Sequence, residues 1–154
     1  ITEIQSVAGL DQLKNLRKIQ KYRDKIAKNY FNLISKYQSY FTTYYPPRGV
    51  RSAWYRFYFF LKKNSKHSQK IRNRIIQNLK KNNLRCFTGS CPEIYLEKSF
   101  RKLKGFKQKR LKNCKFLGET SIALDLDHTK KYYFHKKDLI ILKNVIEKNF
   151  KSEN

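Results

Sequence analysis

The residues of this chain best placed to do chemistry lie in one short run between lysine-rich stretches: Thr88, Gly89, Ser90, Cys91, Pro92, Glu93, Ile94 and Tyr95. Gly89 permits a tight turn at the end of a strand, and Pro92 can open a helix, where its missing N–H costs nothing. That order sets Ser90, Cys91 and the neighbouring backbone N–H groups at a helix N-terminus, which receives an anionic or hydroxyl-rich ligand. Glu93 can instead offer acceptors to ligand hydroxyls. A plainer reading stays open: the turn joins a strand to a helix, and its polar groups only cap. No His lies close in sequence to make Ser90 or Cys91 a nucleophile, and a pairing in space with His128 is the lesser reading. Asp125 and Asp127, two apart on a strand, share a face. They read as a solvated strand end before they read as paired carboxylates for acid–base work.

Other constellations are absent. The sequence has no Gly-rich phosphate loop, G-x-S-x-G elbow or H-E-x-x-H helix. Cys86 and Cys91 are five residues apart, not a C-x-x-C pair, and His67, His128 and His135 do not cluster beside them, so a zinc site is not expected. An odd count of three cysteines, Cys86, Cys91 and Cys114, suits free thiols in a reducing compartment, with a Cys86–Cys91 disulfide the lesser reading. No export leader is legible, no apolar run is long enough to span a membrane, and a cytoplasmic location is expected. The chain begins at Ile1 and contains no Met, from which we expect it to be a piece of something longer.

The formal net charge of the 154 residues is +25. The span between Asp24 and Glu93 holds fifteen Lys or Arg and no acid, and residues 98 to 118 are also acid-free. Such stretches could bind RNA or DNA. Lysine is, however, spread over every segment, as expected of an AT-rich coding sequence, so at most non-specific nucleic-acid binding is expected. An apolar content of 40%, with 11 Phe and 11 Tyr, argues for a packed core.

The elements that must position these residues follow from periodicity. Residues 2–37 read as one long helix, capped by Thr2, with apolar positions from Ile4 through Tyr37 near helical spacing. Gly9 within it suggests close approach of another backbone. Pro46, Pro47 and Gly49 mark a linker. Residues 53–61 are aromatic and nearly continuous, a buried strand, with Trp54 in the core. A helix over 66–82 and a short strand over 84–88 precede the turn, and a helix begins near Pro92 with Ile94, Leu96 and Phe100 anchoring it. Residues 101–115 form a lysine-rich connection, partly helical. A half-buried strand over 120–126 and a helix over 136–149 complete the chain. The expected fold is α+β: a long N-terminal helix, then a small three-stranded, mainly antiparallel sheet covered by helices. The division is 1–45, connecting helix and linker start, and 46–154, a small α+β domain.

Four stretches, in order, resemble one family. Glu3, Ile4, Gln5, Ala8, Gly9, Gln12 and Leu13 in TEIQSVAGLDQL are similar to the helix that follows the cofactor-lysine region of DegT-type sugar aminotransferases. AWYRFYFFL (53–61) resembles the first strand of that family's C-terminal domain. CFTGSCPEIYLEKSF (86–100) and LGETSIALDLDHT (117–129) resemble its later motifs. Where relatives carry a proline- and histidine-containing loop, this chain has Thr88 to Tyr95; where they tend to have His-Pro-Thr, it has Asp127, His128 and Thr129. The resemblance implies the C-terminal small domain of an aspartate-aminotransferase-like fold. It implies a pyridoxal phosphate enzyme acting on a nucleotide-sugar substrate with an amino-acid donor, and a homodimer. The cofactor lysine would lie in a large N-terminal domain upstream of this chain. Thr88, Ser90, Cys91, Glu93 and Tyr95 would then form a rim of the substrate pocket.

Overall fold

The computed structural model describes residues 2–62, 67–89, 93–103, 105, 109–126 and 132–150. Thr2 caps the first helix, α1 (Glu3–Ser35), through a reciprocal pair: its hydroxyl accepts from Gln5 N–H at 3.4 Å, and its own N–H donates to Gln5 Oε1 at 3.1 Å. Only the C-terminal half of α1 is in the core, through Ile26, Ala27, Tyr30 and Ile34. The chain then turns and enters β1 (Phe41–Thr43), passes the proline linker into β2 (Arg56–Leu61), and forms α2 (Ser68–Lys81). β3 (Cys86–Phe87) leads to a single 3-10 turn at Ile94–Leu96 and to α3 (Lys98–Arg101) and α4 (Lys112–Thr120). β4 (Ser121–Asp125) and α5 (Tyr132–Phe150) follow.

The four strands form one antiparallel sheet in the order β1-β2-β4-β3. The two-residue period of β2 sends Phe57, Phe59 and Leu61 to the helix-covered face, opposite Leu124, Ile122 and Phe41 in register. α2 contributes Ile75, Ile76 and Leu79 to that core, and α5 contributes Leu142, Val145 and Ile146. Aromatic edges lock it: Phe41 meets Phe59 at 5.2 Å and Phe150 at 5.4 Å between ring centroids. Burying each such side chain contributes roughly 1.5–3 kcal/mol. Arg72 of α2 is also buried, and its guanidinium donates to the Gly118 carbonyl at 3.0 Å, tying α2 to α4.

The α+β class with its leading helix holds, with several corrections. The sheet has four strands rather than three, because Phe41–Thr43, too short to show an alternation, pairs with the end of β2. β2 starts at Arg56 and not at residue 53, since Trp54 adopts a φ of 47° that breaks the extended backbone. Trp54 is nevertheless a core residue, 7% exposed. The connection over 101–115 is partly helical as expected, through the first turn of α4, but that helix runs on to Thr120, and α5 begins at Tyr132, earlier than expected. In place of a regular helix after the turn stands the 3-10 turn, where Ile94 is 56% exposed and anchors nothing. Among the described residues, no atom beyond the neighbouring backbone of α1 comes within 4 Å of where a Cβ on Gly9 would stand.

Candidate functional site

β3 ends at Phe87, and the Thr88 carbonyl immediately after it accepts a hydrogen bond from Ser121 Oγ at the start of β4. Gly89 follows with φ +90°. A Cβ there would stand 3.0 Å from Ser121 Oγ and 3.5 Å from Tyr58 Cε1, so both the left-handed backbone and the close approach call for glycine. Ser90, Cys91 and Pro92 lie outside the described residues.

On the far side of the turn, Glu93 and Tyr95 are drawn together. Arg110 grips both carboxylate oxygens of Glu93, Nε to Oε1 and Nη2 to Oε2, each at 2.8 Å. Tyr95 donates its hydroxyl to Glu93 Oε1 at 2.9 Å and accepts from the Leu111 N–H, also at 2.9 Å. The Arg110 hydrogen bonds, aided by Tyr95, hold the Glu93 carboxyl well below the usual range, at about 2. Glu93 is therefore a charged clasp between the turn and the segment leading into α4. Nothing in the sequence marked Arg110 as its partner, 17 residues away within a run of lysines.

The remaining sequence candidates separate. Asp125 pairs with Arg85 at 3.3 Å, while Asp127 and His128 lie outside the described residues. Cys86 is buried beneath α2 and its burial pushes the thiol up to about 11, an inert core thiol. Cys86 and Cys114 are free, and the described residues contain no cluster of His, Cys, Asp and Glu able to hold a metal ion. No helix among the described residues is long and apolar enough to cross a membrane.

A second concavity went unread in the sequence. Between α1 and the proline linker lies a cleft of about 550 Å³ lined by Arg17, Lys21, Arg48 and Arg51, with Asp24 and Ser52 at its wall. The dipeptide Pro46-Pro47 and Gly49, taken only as a linker, are the signal that could have drawn attention to it.

A family model for the DegT/DnrJ/EryC1/StrS aminotransferases matches residues 1–131. The chain belongs to this family. Its backbone superposes on an aminotransferase from Psychrobacter cryohalolentis with a TM-score of 0.83 at 26% identity, over 99% of this chain and 39% of that one. It also matches PseC of Helicobacter pylori, an aminotransferase involved in pseudoaminic acid biosynthesis, with a TM-score of 0.80 at 20% identity over 96% and 38% of the two chains. A third match is the E. coli GDP-4-keto-6-deoxy-D-mannose-3-dehydratase, with bound hydrated pyridoxal phosphate. Its TM-score is 0.70 at 20% identity, over 88% of this chain and 33% of that one. The chain thus spans at most about two-fifths of the length of the solved structures it matches. No curated protein matches its sequence.

Proposed function

We propose that this chain is the C-terminal portion of a pyridoxal-phosphate-dependent aminotransferase. The whole enzyme would move an amino group from an amino acid, glutamate in our reading, to a nucleotide-linked keto-sugar, for surface polysaccharide or amino-sugar synthesis. The observation that carries this is the family match over 1–131 together with end-to-end superposition on less than half of an aminotransferase. The division near residue 45, the cytoplasmic location, the homodimer and the missing large domain belong to the same proposal.

Pyridoxal phosphate supplies the electron sink for amino transfer, and its carbonyl must be held by a lysine in a shielded pocket. The residues described here do not fit that role: every described lysine is exposed. We therefore place the cofactor lysine outside this chain and take the chain alone to be inactive. Thr88 to Tyr95 would form the rim of the substrate pocket, with the Glu93 clasp fixing its exit. The alternative, a basic RNA- or DNA-binding module, needs aromatics exposed among clustered cations. Here Phe41, Phe57, Phe59, Tyr30 and Trp54 are core residues.

The test is product analysis on the full reading frame, expressed with pyridoxal phosphate, glutamate and a nucleotide-linked keto-sugar. Formation of the amino sugar is expected. A deoxy-sugar without amine, the outcome suggested by the E. coli dehydratase, would overturn the transferase reading. In that enzyme Ser90→Ala should raise KM for the sugar nucleotide and leave the donor half-reaction unchanged.

A further inference from the structure

The start of α5 meets α1 at a histidine. His135, in the first turn of α5, is 2% exposed, and Asp138, one turn on, is 6% exposed. The imidazole Nδ1 stands 3.6 Å from Asp138 Oδ2, and its ring meets the Tyr22 ring of α1 edge-on at 5.7 Å between centroids. We propose that this buried pair is a pH-sensitive lock: protonated His135 holds the start of α5 against α1, and loss of the proton loosens the two helices.

Burial is the first argument. An imidazole and a carboxylate taken out of water are each costly, and they offset one another as an ion pair only when the imidazole is protonated. At 3.6 Å the contact is longer than a hydrogen bond, so charge is what joins the two groups. A carboxylate at this range favours the charged imidazole, and removing the proton withdraws a counter-charge from a carboxylate inside the protein.

The surroundings are the second. From α1, Tyr30 adds a fully buried hydroxyl, held above its ordinary range by burial first and then by the charges of Asp138 and Asp125. Asp125, at the end of β4, is itself paired with Arg85 at 3.3 Å. Arg23, beside Tyr22 in α1, has its Nε buried. Lys136 and Lys137 of α5 are exposed. Negative charge therefore reaches this junction from both α5 and β4, and His135 is the group there that titrates near neutral pH.

The two ends of α5 are held differently, and that makes a lock of the pair. Its later turns are fixed by apolar contacts that no proton changes: Leu142, Val145 and Ile146 in the core, and Phe150 stacked on Tyr40 at 4.3 Å. Its first turns meet α1 through His135. A His whose folded pKa is raised contributes stability that is fully present below its unfolded value of about 6.5 and is lost as pH rises through the folded one.

The 154-residue chain, labelled with carbon-13 at histidine Cε1, is titrated by NMR from about pH 5 to about pH 9. An NOE to the Tyr22 ring assigns the His135 signal without any substitution. We expect its midpoint above about 6.5, and the NOE to weaken as pH passes that midpoint. Asp138→Asn should lower the midpoint by about one unit or more, whereas Arg23→Gln, which removes a cation, should not lower it. In thermal melts the difference between the parent and His135→Gln should be largest near about pH 6 and shrink towards about pH 9; the other two histidines are common to both chains and cancel. A midpoint at or below about 6.5 would overturn the proposal, since it would mean a neutral buried imidazole. An NOE unchanged across the midpoint would overturn it too, leaving an ion pair that locks nothing. Where His135→Gln does not fold, the midpoint and the NOE of the parent decide.

Discussion

Glu93 and Arg110 meet through two hydrogen bonds of 2.8 Å that close the turn after β3 onto the approach to α4. The clasp carries a pH signature. Arg110 holds the Glu93 carboxyl at about 2, below its ordinary value of 4.5. A depressed carboxylate contributes stability that is fully present above its unfolded pKa and is lost as pH falls through the folded one. The difference in melting temperature between the parent and Glu93→Gln should be constant above about pH 5 and shrink towards zero as pH falls to about 2. A difference that does not change over that window would mean the pair contributes nothing beyond the side chains' packing.

The two turn glycines should respond unequally to a methyl group. Gly89 and Gly49 both hold positive φ, +90° and +88°. An alanine at either is strained by about 1–3 kcal/mol. At Gly89 the added carbon also stands 3.0 Å from Ser121 Oγ, whereas at Gly49 no atom of the described residues lies within 4 Å. Ser121 Oγ is in turn bonded to the Thr88 carbonyl and cannot move without cost. Gly89→Ala should therefore lose more stability in a denaturant melt than Gly49→Ala, by about 1–3 kcal/mol. Equal losses would show that the contact with β4 does not constrain the turn.

What the sequence disclosed follows from length scales. β2 was legible as a nearly continuous aromatic run, and the alternation Ile122, Leu124, Leu126 and the helical spacing Ile75, Ile76, Leu79 because each spans enough residues for its period to emerge. Phe41–Thr43 was not, since three residues cannot establish a period and the strand exists only through its pairing with β2. The turn at Gly89 was legible from its punctuation. Its closing clasp was not, because Arg110 sits among many equivalent cations and its selection by Glu93 is a tertiary event. The cleft of Arg17, Lys21, Arg48 and Arg51 was hidden for the same reason: it joins two segments that local pattern cannot bring together.

The N-terminal half of α1 poses the last question. Ile4, Val7, Leu10, Leu13 and Leu16 are 82%, 67%, 60%, 65% and 42% exposed, while Ile26, Tyr30 and Ile34 of the same helix are at most 1% exposed. Residues spaced by three fall about 60° short of a full turn at each step, so the five sweep through about 240° around the axis. They trace a winding apolar stripe between polar residues such as Asp11, Lys14 and Lys18, and an uncovered stripe of this kind suits packing against another surface. On our reading the large domain encloses this half and the small domain carries the other. The isolated chain should then self-associate, because so large an apolar patch is an association liability. Leu10→Ser with Leu13→Ser should reduce that association in sedimentation velocity while changing stability by only about 0.5 kcal/mol, the range for exposed positions. Ile34→Ala, in the buried half, should cost about 2–5 kcal/mol and leave association unrelieved. A chain that sediments as a monomer before any substitution would show that the exposed stripe needs no cover.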